Sequence, residues 1–584
     1  MRALSFSLVV GLLAISSTPR SASAASAAEL RLNGWYPCTY STSLDGANSS
    51  VTPFECAEVD VPLCHEGVCE SDKTINLFVR RLRATEKAKE RKALWFLQGG
   101  PGVSSFVLEY DMTNMNELFE GAVDLYTVDH RGTGRSTFLE CQAAQAFASG
   151  SPGGIELEYN ELPNCVSDIL FQIDNHTEAF SVTSAAKDIV HLVENLYDDD
   201  IDTFIYGVSY GTYWSSRIMH LAPEKVKGYI LDGVVDESSP TFTTINSKRA
   251  QPEERFLKLC ENDKYCSSKL KDEIKEFGSL KKAWKAIFED LDSSTTERKR
   301  CADLLRKTFP DVKPSYGLRN YLSSMVGMID QRLLIPAIMH RLYYCEEQDV
   351  KFLTFNVFGD PDAAIADPTP APAVYDKVQG SSIFLGQLIK ASEMWTHPSP
   401  SWQSAMKDFE AGIFSSNSSQ DFATYCFFTA DFSDPACSDL VKLHTPEINF
   451  TTFKTPKFTY TPEKAYWKKP AKIPDHASAL LFNGELDFLT TNEWGTSEYE
   501  NLEGDKMVVN FSFGAHGSGF RPSTFSDTTS CGYNIVAWYV SSGGDVAKVN
   551  TDCMQSLPPF SFTDVRAIQQ VFPNIMNADA LYDS

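Results

Sequence analysis

The strongest constraint on this chain is an abrupt change of pattern within residues 203–221 (TFIYGVSYGTYWSSRIMHL). An apolar run meets Gly207 and Gly211 with Ser209 between them, and a helical repeat follows. Phe204, Ile205 and Tyr206 read as a buried strand, while Trp214, Ile218 and Leu221 recur at the spacing of one helix face. A strand can turn directly into a helix only where the flanking residues lack a Cβ, because a side chain there strikes the neighbouring strand or helix. The residue at the tip is then lifted clear of the sheet with its hydroxyl exposed. Five residues are a short signal, and it is the strand before and the helix after that give it weight.

A serine hydroxyl is a poor nucleophile near neutral pH. It needs an imidazole to take its proton and a carboxylate to hold that imidazole's tautomer. Both are available late in the chain, each just past a strand-like run. Residues 479–483 (ALLFN) lead to Glu485 and Asp487, and residues 506–513 (KMVVNFSF) lead to His516 between Gly514 and Gly517. Asp487 is preferred to Glu485 because it lies beyond the strand end, in a loop from which a carboxylate can reach an imidazole. The chain order Ser209, Asp487, His516 is the order α/β-hydrolases use. Upstream, the strand-like run 93–97 ends in Gln98, Gly99, Gly100, Pro101 and Gly102. A glycine loop exposes backbone N–H groups, which suits a developing oxyanion, so Gly99 and Gly100 are expected to supply one donor and the N–H of Tyr210 the other. The Arg131, Gly132, Gly134, Arg135 loop (DHRGTGRS) has the wrong spacing for a phosphate-binding fingerprint and reads as a structural loop under the site.

Strands alternating with helices predict a mostly parallel sheet flanked by helices, with ligands at the carboxyl ends of its strands. Thr183 or Ser184 is placed to cap a helix whose Ala186, Ile189, Val190, Val193 and Leu196 share one face. Beyond residue 236 the texture changes. Leu280, Trp284, Ile287, Phe288 and Leu291 repeat at helical spacing among Lys and Glu, and residues 360–372 form a proline-rich loop. The expected organisation is a first core segment at 25–236, a large, mostly helical cap over 237–472, and a second core segment at 473–584.

Residues 1–24 carry one early basic residue, an apolar run and small residues at Ala22 and Ala24, a secretory leader too short to span a bilayer. No later segment is long and apolar enough to serve as a stable membrane anchor. Secretion makes the 14 cysteines a disulfide framework rather than a metal site. Proximity in the chain suggests Cys38 with Cys56, Cys64 with Cys69, Cys141 with Cys165, Cys260 with Cys266, Cys301 with Cys345, Cys426 with Cys437, and Cys531 with Cys553. Sequons at Asn48, Asn175, Asn417, Asn449 and Asn510 fit a glycosylated surface, with Asn510 the least available because it sits in an apolar run. A formal charge of −25 argues against nucleic acid as a partner. Nothing in the sequence calls for a metal or another cofactor.

QGGPG at 98–102, DHRGTGRS at 129–136, GVSYGT at 207–212, LDGVVD at 231–236, GELD at 484–487 and GAHG at 514–517 together resemble the prolyl-iminopeptidase and tripeptidyl-aminopeptidase group of α/β-hydrolases. CAEVDVPL near the start and the late Cys531 and Cys553 resemble its secreted branch. The resemblance covers both core segments and hardly touches the insertion. It implies a secreted serine exopeptidase acting on peptides with a free amino terminus, beneath a helical cap. Two residues depart from the family's pattern: Gln98 stands where histidine is usual, and Thr491 replaces a proline common after the catalytic Asp. A carboxylesterase or lipase would use the same machinery on esters, and a silent binding protein could keep the fold. Epoxide hydrolases and dehalogenases place Asp where this chain has Ser209.

Overall fold

The computed structural model describes residues 30–583 apart from 39–53, 86–90, 142–158, 198–199, 241, 294, 296, 360–379, 444–453 and 574. The leader, the Asn48 and Asn449 sequons and the proline-rich stretch lie outside the described residues.

The strands are β1 (Arg31–Leu32), β2 (Tyr36–Cys38), β3 (Phe54–Pro62), β4 (Thr74–Leu82), β5 (Lys92–Leu97), β6 (Val123–Val128), β7 (Asp202–Val208), β8 (Val226–Asp232), β9 (Ser478–Gly484) and β10 (Lys506–Phe511). They make one sheet in the order β1-β3-β4-β6-β5-β7-β8-β9-β10, with β2 paired to β3. From β6 across to β10 every pairing is parallel, whereas β3, β4 and β6 pair antiparallel. The sheet is therefore mixed, because the hairpin of β3 and β4 adds its strands to one edge of the parallel set. Every residue of β5, β6 and β9 is buried, which is why β5 and β9 read as apolar runs over 93–97 and 479–482, while β6 buries Asp124 and Thr127 among its apolar residues.

Helix Val182–Asn195 is capped two or three residues earlier than expected. Ser181 is the N-cap and accepts from the Ser184 N–H at 3.2 Å. Its Ala185, Ile189, Leu192 and Val193 enter the same apolar core as Tyr213 and Ile218 of helix Tyr210–Leu221.

Among the described residues no strand occurs between β8 and β9, but the helical insertion divides in two. Its first half encloses a core of its own, in which Trp284, Ile287 and Phe288 meet Leu318, Leu322 and Ile338. Its second half does not form a separate layer: Phe384, Leu388, Phe427 and Phe458 join the core built on the sheet. The carboxyl-terminal tail also crosses the expected boundary, since Phe562, Ile568 and Leu581 pack into the insertion's core. A buried ion pair fixes the second half to the helix after β7. Arg217 Nη2 lies 2.8 Å from Glu393 Oε2, and Tyr213 and Tyr460 each donate a hydroxyl to the same carboxylate. With its oxygens satisfied, a charge pair this deep is tolerated and fixes one arrangement of the two helices.

The structure brings together the same seven cysteine pairs that chain proximity suggests, and no described cysteine is free. Asn175 is exposed and Asn417 is half-buried. Asn510 differs from expectation: β10 is an edge strand whose alternation turns Val509 inward and Asn510 to solvent. No described helix is long and apolar enough to cross a membrane.

Candidate active site

β7 ends at Val208, and Ser209 follows with φ 58° and ψ −126° before helix Tyr210–Leu221 begins. A non-glycine residue in this conformation is strained, and here the bend around it leaves no slack. A Cβ on Gly207 would meet the Gly211 carbonyl oxygen at 2.2 Å, and one on Gly211 would meet the Leu97 oxygen at 2.2 Å. The two glycines are thus required by the backbone of the bend itself and of the end of β5.

The loop after β5 lies directly against the serine. A Cβ on Gly99 would come within 2.7 Å of Ser209 Cβ and 3.2 Å of its Oγ. Asp129 holds the far side of this loop, where its Oδ1 accepts from the Ser104 hydroxyl at 2.8 Å and from the Ser105 N–H at 2.8 Å. This gives the DHRGTGRS loop its structural role: Arg131, fully buried, spends its guanidinium on Asp188 and on the carbonyls of Leu63, Ala179 and Pro62. The Tyr210 N–H is the first of its helix and so has no partner within it, and it lies at the positive end of the helix dipole.

His516 and Asp487 meet across the ends of β9 and β10, with Nδ1 2.9 Å from Asp487 Oδ2. The carboxylate is held from every side. Its Oδ1 accepts the N–H groups of Leu489 and Thr490 at 2.8 and 2.9 Å, and its Oδ2 accepts the Thr490 hydroxyl at 2.8 Å. Glu485, the competing acid, pairs instead with Arg255 of the insertion. Burial pulls the His516 pKa down, but the charge and hydrogen bond of Asp487, with Asp232 adding and Arg521 opposing, leave it raised above 6.5. If His516 acts as a base, kcat/KM falls as pH drops through that raised pKa, and an activity profile flat from about pH 4 to 8 would exclude it.

Ser209 and His516 line one cavity of about 290 Å³ together with Gln98, Gly99, Leu489 and Arg521. Asp111, Tyr206 and Phe520 line it too. A cavity of about 520 Å³ adjoins it across Phe520 and Arg521, lined by neither Ser209 nor His516. Of the two departures noted in the sequence, Gln98 keeps a buried side-chain oxygen without a hydrogen-bond partner in the cavity wall. Thr491 has φ −64°, a value proline also adopts, so the substitution leaves the backbone path as it was. Cys64, Cys69 and His176 are close enough to share a metal ion, but both cysteines are spent in a disulfide and offer no thiolate.

Sequence reasoning missed Tyr206, Asp111, Phe520 and Arg521 in the cavity wall, and the Thr490 hydroxyl between acid and base, 3.1 Å from His516 Nδ1. Only their proximity in the folded chain distinguishes them. Chemically, the arrangement offers a half-buried serine on a strained backbone, a buried carboxylate bonded to a half-buried imidazole, and backbone donors at one cavity.

A model of the alpha/beta hydrolase fold family matches residues 92–263. The topology agrees with it, and the fold is an α/β-hydrolase fold, with a mixed sheet flanked by helices and many additional helices. A tripeptidyl aminopeptidase from Streptomyces lividans is 27% identical over 198 residues, covering 32% of this chain and 36% of that protein. A second, from Streptomyces coelicolor, matches at the same identity and coverage. The matched stretch thus spans about a third of the length of these curated relatives. A solved proline iminopeptidase from Mycobacterium smegmatis aligns over 82% of this chain and 98% of its own, at 13% identity and a TM-score of 0.30.

Proposed function

We propose that this chain is a secreted serine hydrolase that releases residues or short peptides from free amino termini through an acyl-enzyme on Ser209. The observation that carries the reading is the bond of His516 to a fully held Asp487 at the cavity that half-buried Ser209 also lines. In this reading His516 Nε2 takes the proton of the Ser209 hydroxyl as Oγ adds to the scissile carbonyl, and Asp487 stabilises the imidazolium. The N–H groups of Tyr210 and of the Gly99–Gly100 loop receive the oxyanion. Collapse returns the proton from His516 to the departing amine, and a water activated by the same imidazole then releases the acyl group. No cofactor enters this scheme.

The peptidase assignment rests on the motifs shared with tripeptidyl aminopeptidases and on the similarity to them within that partial stretch. Secretion rests on the leader and on the seven disulfides. We assign glycans to Asn175 and Asn510 on their exposure, and to half-buried Asn417 as well as Asn48 and Asn449 on their sequons.

Mono-, di- and tripeptidyl reporters with free amino termini, compared with their N-acetylated forms and with a simple acyl ester, test the substrate class. Acetylation is expected to lower kcat/KM by about a hundredfold or more, since it removes the charge the site would recognise. Equal turnover of blocked and free reporters, with faster turnover of the ester, would assign the chain to the carboxylesterases instead.

A further inference from the structure

Asp232, the last residue of β8, is completely buried and touches both halves of the proposed machinery. Its backbone carbonyl accepts the Ser209 N–H at 2.9 Å. Its side-chain Oδ2 accepts the Tyr206 hydroxyl at 2.6 Å and the Gly519 N–H at 3.0 Å. Tyr206 precedes Ser209 on β7, and Gly519 follows His516 in the loop after β10, so one residue is bonded to the nucleophile's turn, to its strand and to the base's loop. The fit is close. A Cβ on Gly519 would stand 2.9 Å from Oδ2, and the Tyr206 ring stacks on Phe520 with centroids 4.1 Å apart.

We infer that Asp232 is a positioning residue that tethers the His516 loop to the Ser209 turn and sets its own buried carboxylate near the imidazole. Resting on the serine-hydrolase reading, the inference adds a residue outside the Ser209, His516, Asp487 set. The groups facing His516 are Asp487 from the loop after β9, Asp232 from β8 and Arg521 from its own loop; the two carboxylates favour the imidazolium and Arg521 opposes it. Asp232 itself faces Tyr206, His516 and Arg521. Burial pushes its carboxyl up to about 6, against the pull of the Tyr206 hydroxyl, the Gly519 N–H, His516 and Arg521. Its second oxygen, Oδ1, is buried with no hydrogen-bond partner, so the carboxylate is under-compensated and its charge is felt by the nearby imidazole. Above about pH 6 that charge is in place.

Asparagine can keep both tethers, because one amide oxygen can accept from Tyr206 and Gly519 where Oδ2 now does. It removes only the charge. Alanine removes the tethers as well. The rate at which a fluorophosphonate labels Ser209 in the full-length protein, followed from about pH 5 to 9, reads both effects without reference to any peptide substrate. Asp232→Ala is expected to slow labelling about ten- to a hundredfold, the range that a small misplacement of reacting groups costs. Asp232→Asn is expected to recover the plateau rate to within about threefold of wild type and to move the acid limb to lower pH by ~0.5–1. The sign follows from the charge: without the carboxylate the imidazolium is less favoured, so the neutral base survives to lower pH. If the alanine protein does not accumulate folded, the asparagine profile decides alone. An unmoved acid limb in Asp232→Asn, or wild-type labelling in Asp232→Ala, overturns the inference. A wild-type protein that takes no label overturns the nucleophile assignment and this inference with it.

Discussion

Ser209→Ala is expected to lower kcat by about 10⁶-fold and to abolish fluorophosphonate labelling, because losing the nucleophile costs about as much as losing the whole constellation. The variant is a fair test because it is conservative where the fold is concerned. Alanine keeps the Cβ against which Gly99 packs, and the Ser209 N–H bond to the Asp232 carbonyl is backbone and survives. Strain at φ 58° is the same for alanine as for serine, so the turn has no new reason to relax. Substrate affinity should therefore persist while turnover disappears. The measurement is kcat and binding on one preparation, with folding checked by circular dichroism. A Ser209→Ala protein that hydrolyses peptides at even a tenth of the wild-type rate would place the chemistry elsewhere in the chain. An unlabelled wild type would favour a silent binding protein on a hydrolase fold.

The sequence makes the core legible where one physical rule acts alone. β5 and β9 are buried on both faces, so 93–97 and 479–482 appear as short apolar runs. The turn at Ser209 is legible because its glycines answer to backbone clashes and not to any distant side chain. The insertion is less so. Helical spacing marks Trp284, Ile287 and Phe288 as a buried face, but no pattern tells whether an apolar face meets another helix of the insertion or the sheet, and Phe384 and Leu388 take the second course. The tail is opaque for the same reason, since Phe562 and Ile568 could have packed on either core. Asp232 stood within a quoted motif without acquiring a role, because its bonds run to Tyr206 and Gly519, far from it in sequence. Polar side chains that work through tertiary contacts leave no periodic trace.

The choice between Asp487 and Glu485 gives the second large expected effect. Asp487→Asn is expected to lower kcat by about 10⁴-fold, the scale of the tautomer effect in serine proteases, while Glu485→Gln leaves kcat within about twofold. The hydrogen bonds explain why asparagine is so poor a substitute. Leu489 and Thr490 direct two backbone N–H groups at Oδ1, so the amide oxygen of asparagine must occupy that place. Its NH₂ group then faces His516 Nδ1, where the carboxylate oxygen now lies 2.9 Å away. A donor at that point forces Nδ1 to accept and leaves the proton on Nε2, the nitrogen that has to take one from Ser209. The imidazole is held in place but in the unreactive tautomer. It also loses the charge that raises its pKa, so the residual activity of Asp487→Asn should extend to lower pH than the wild type's. Glu485 is directed away from this chemistry by its ion pair with Arg255, and neutralising it frees only that arginine. Because the two substitutions each exchange a carboxylate for an amide within three residues of one another, a general disturbance of the loop would affect both. Only a loss confined to Asp487 identifies the carboxylate that serves the imidazole, and a loss confined to Glu485 would reverse the assignment.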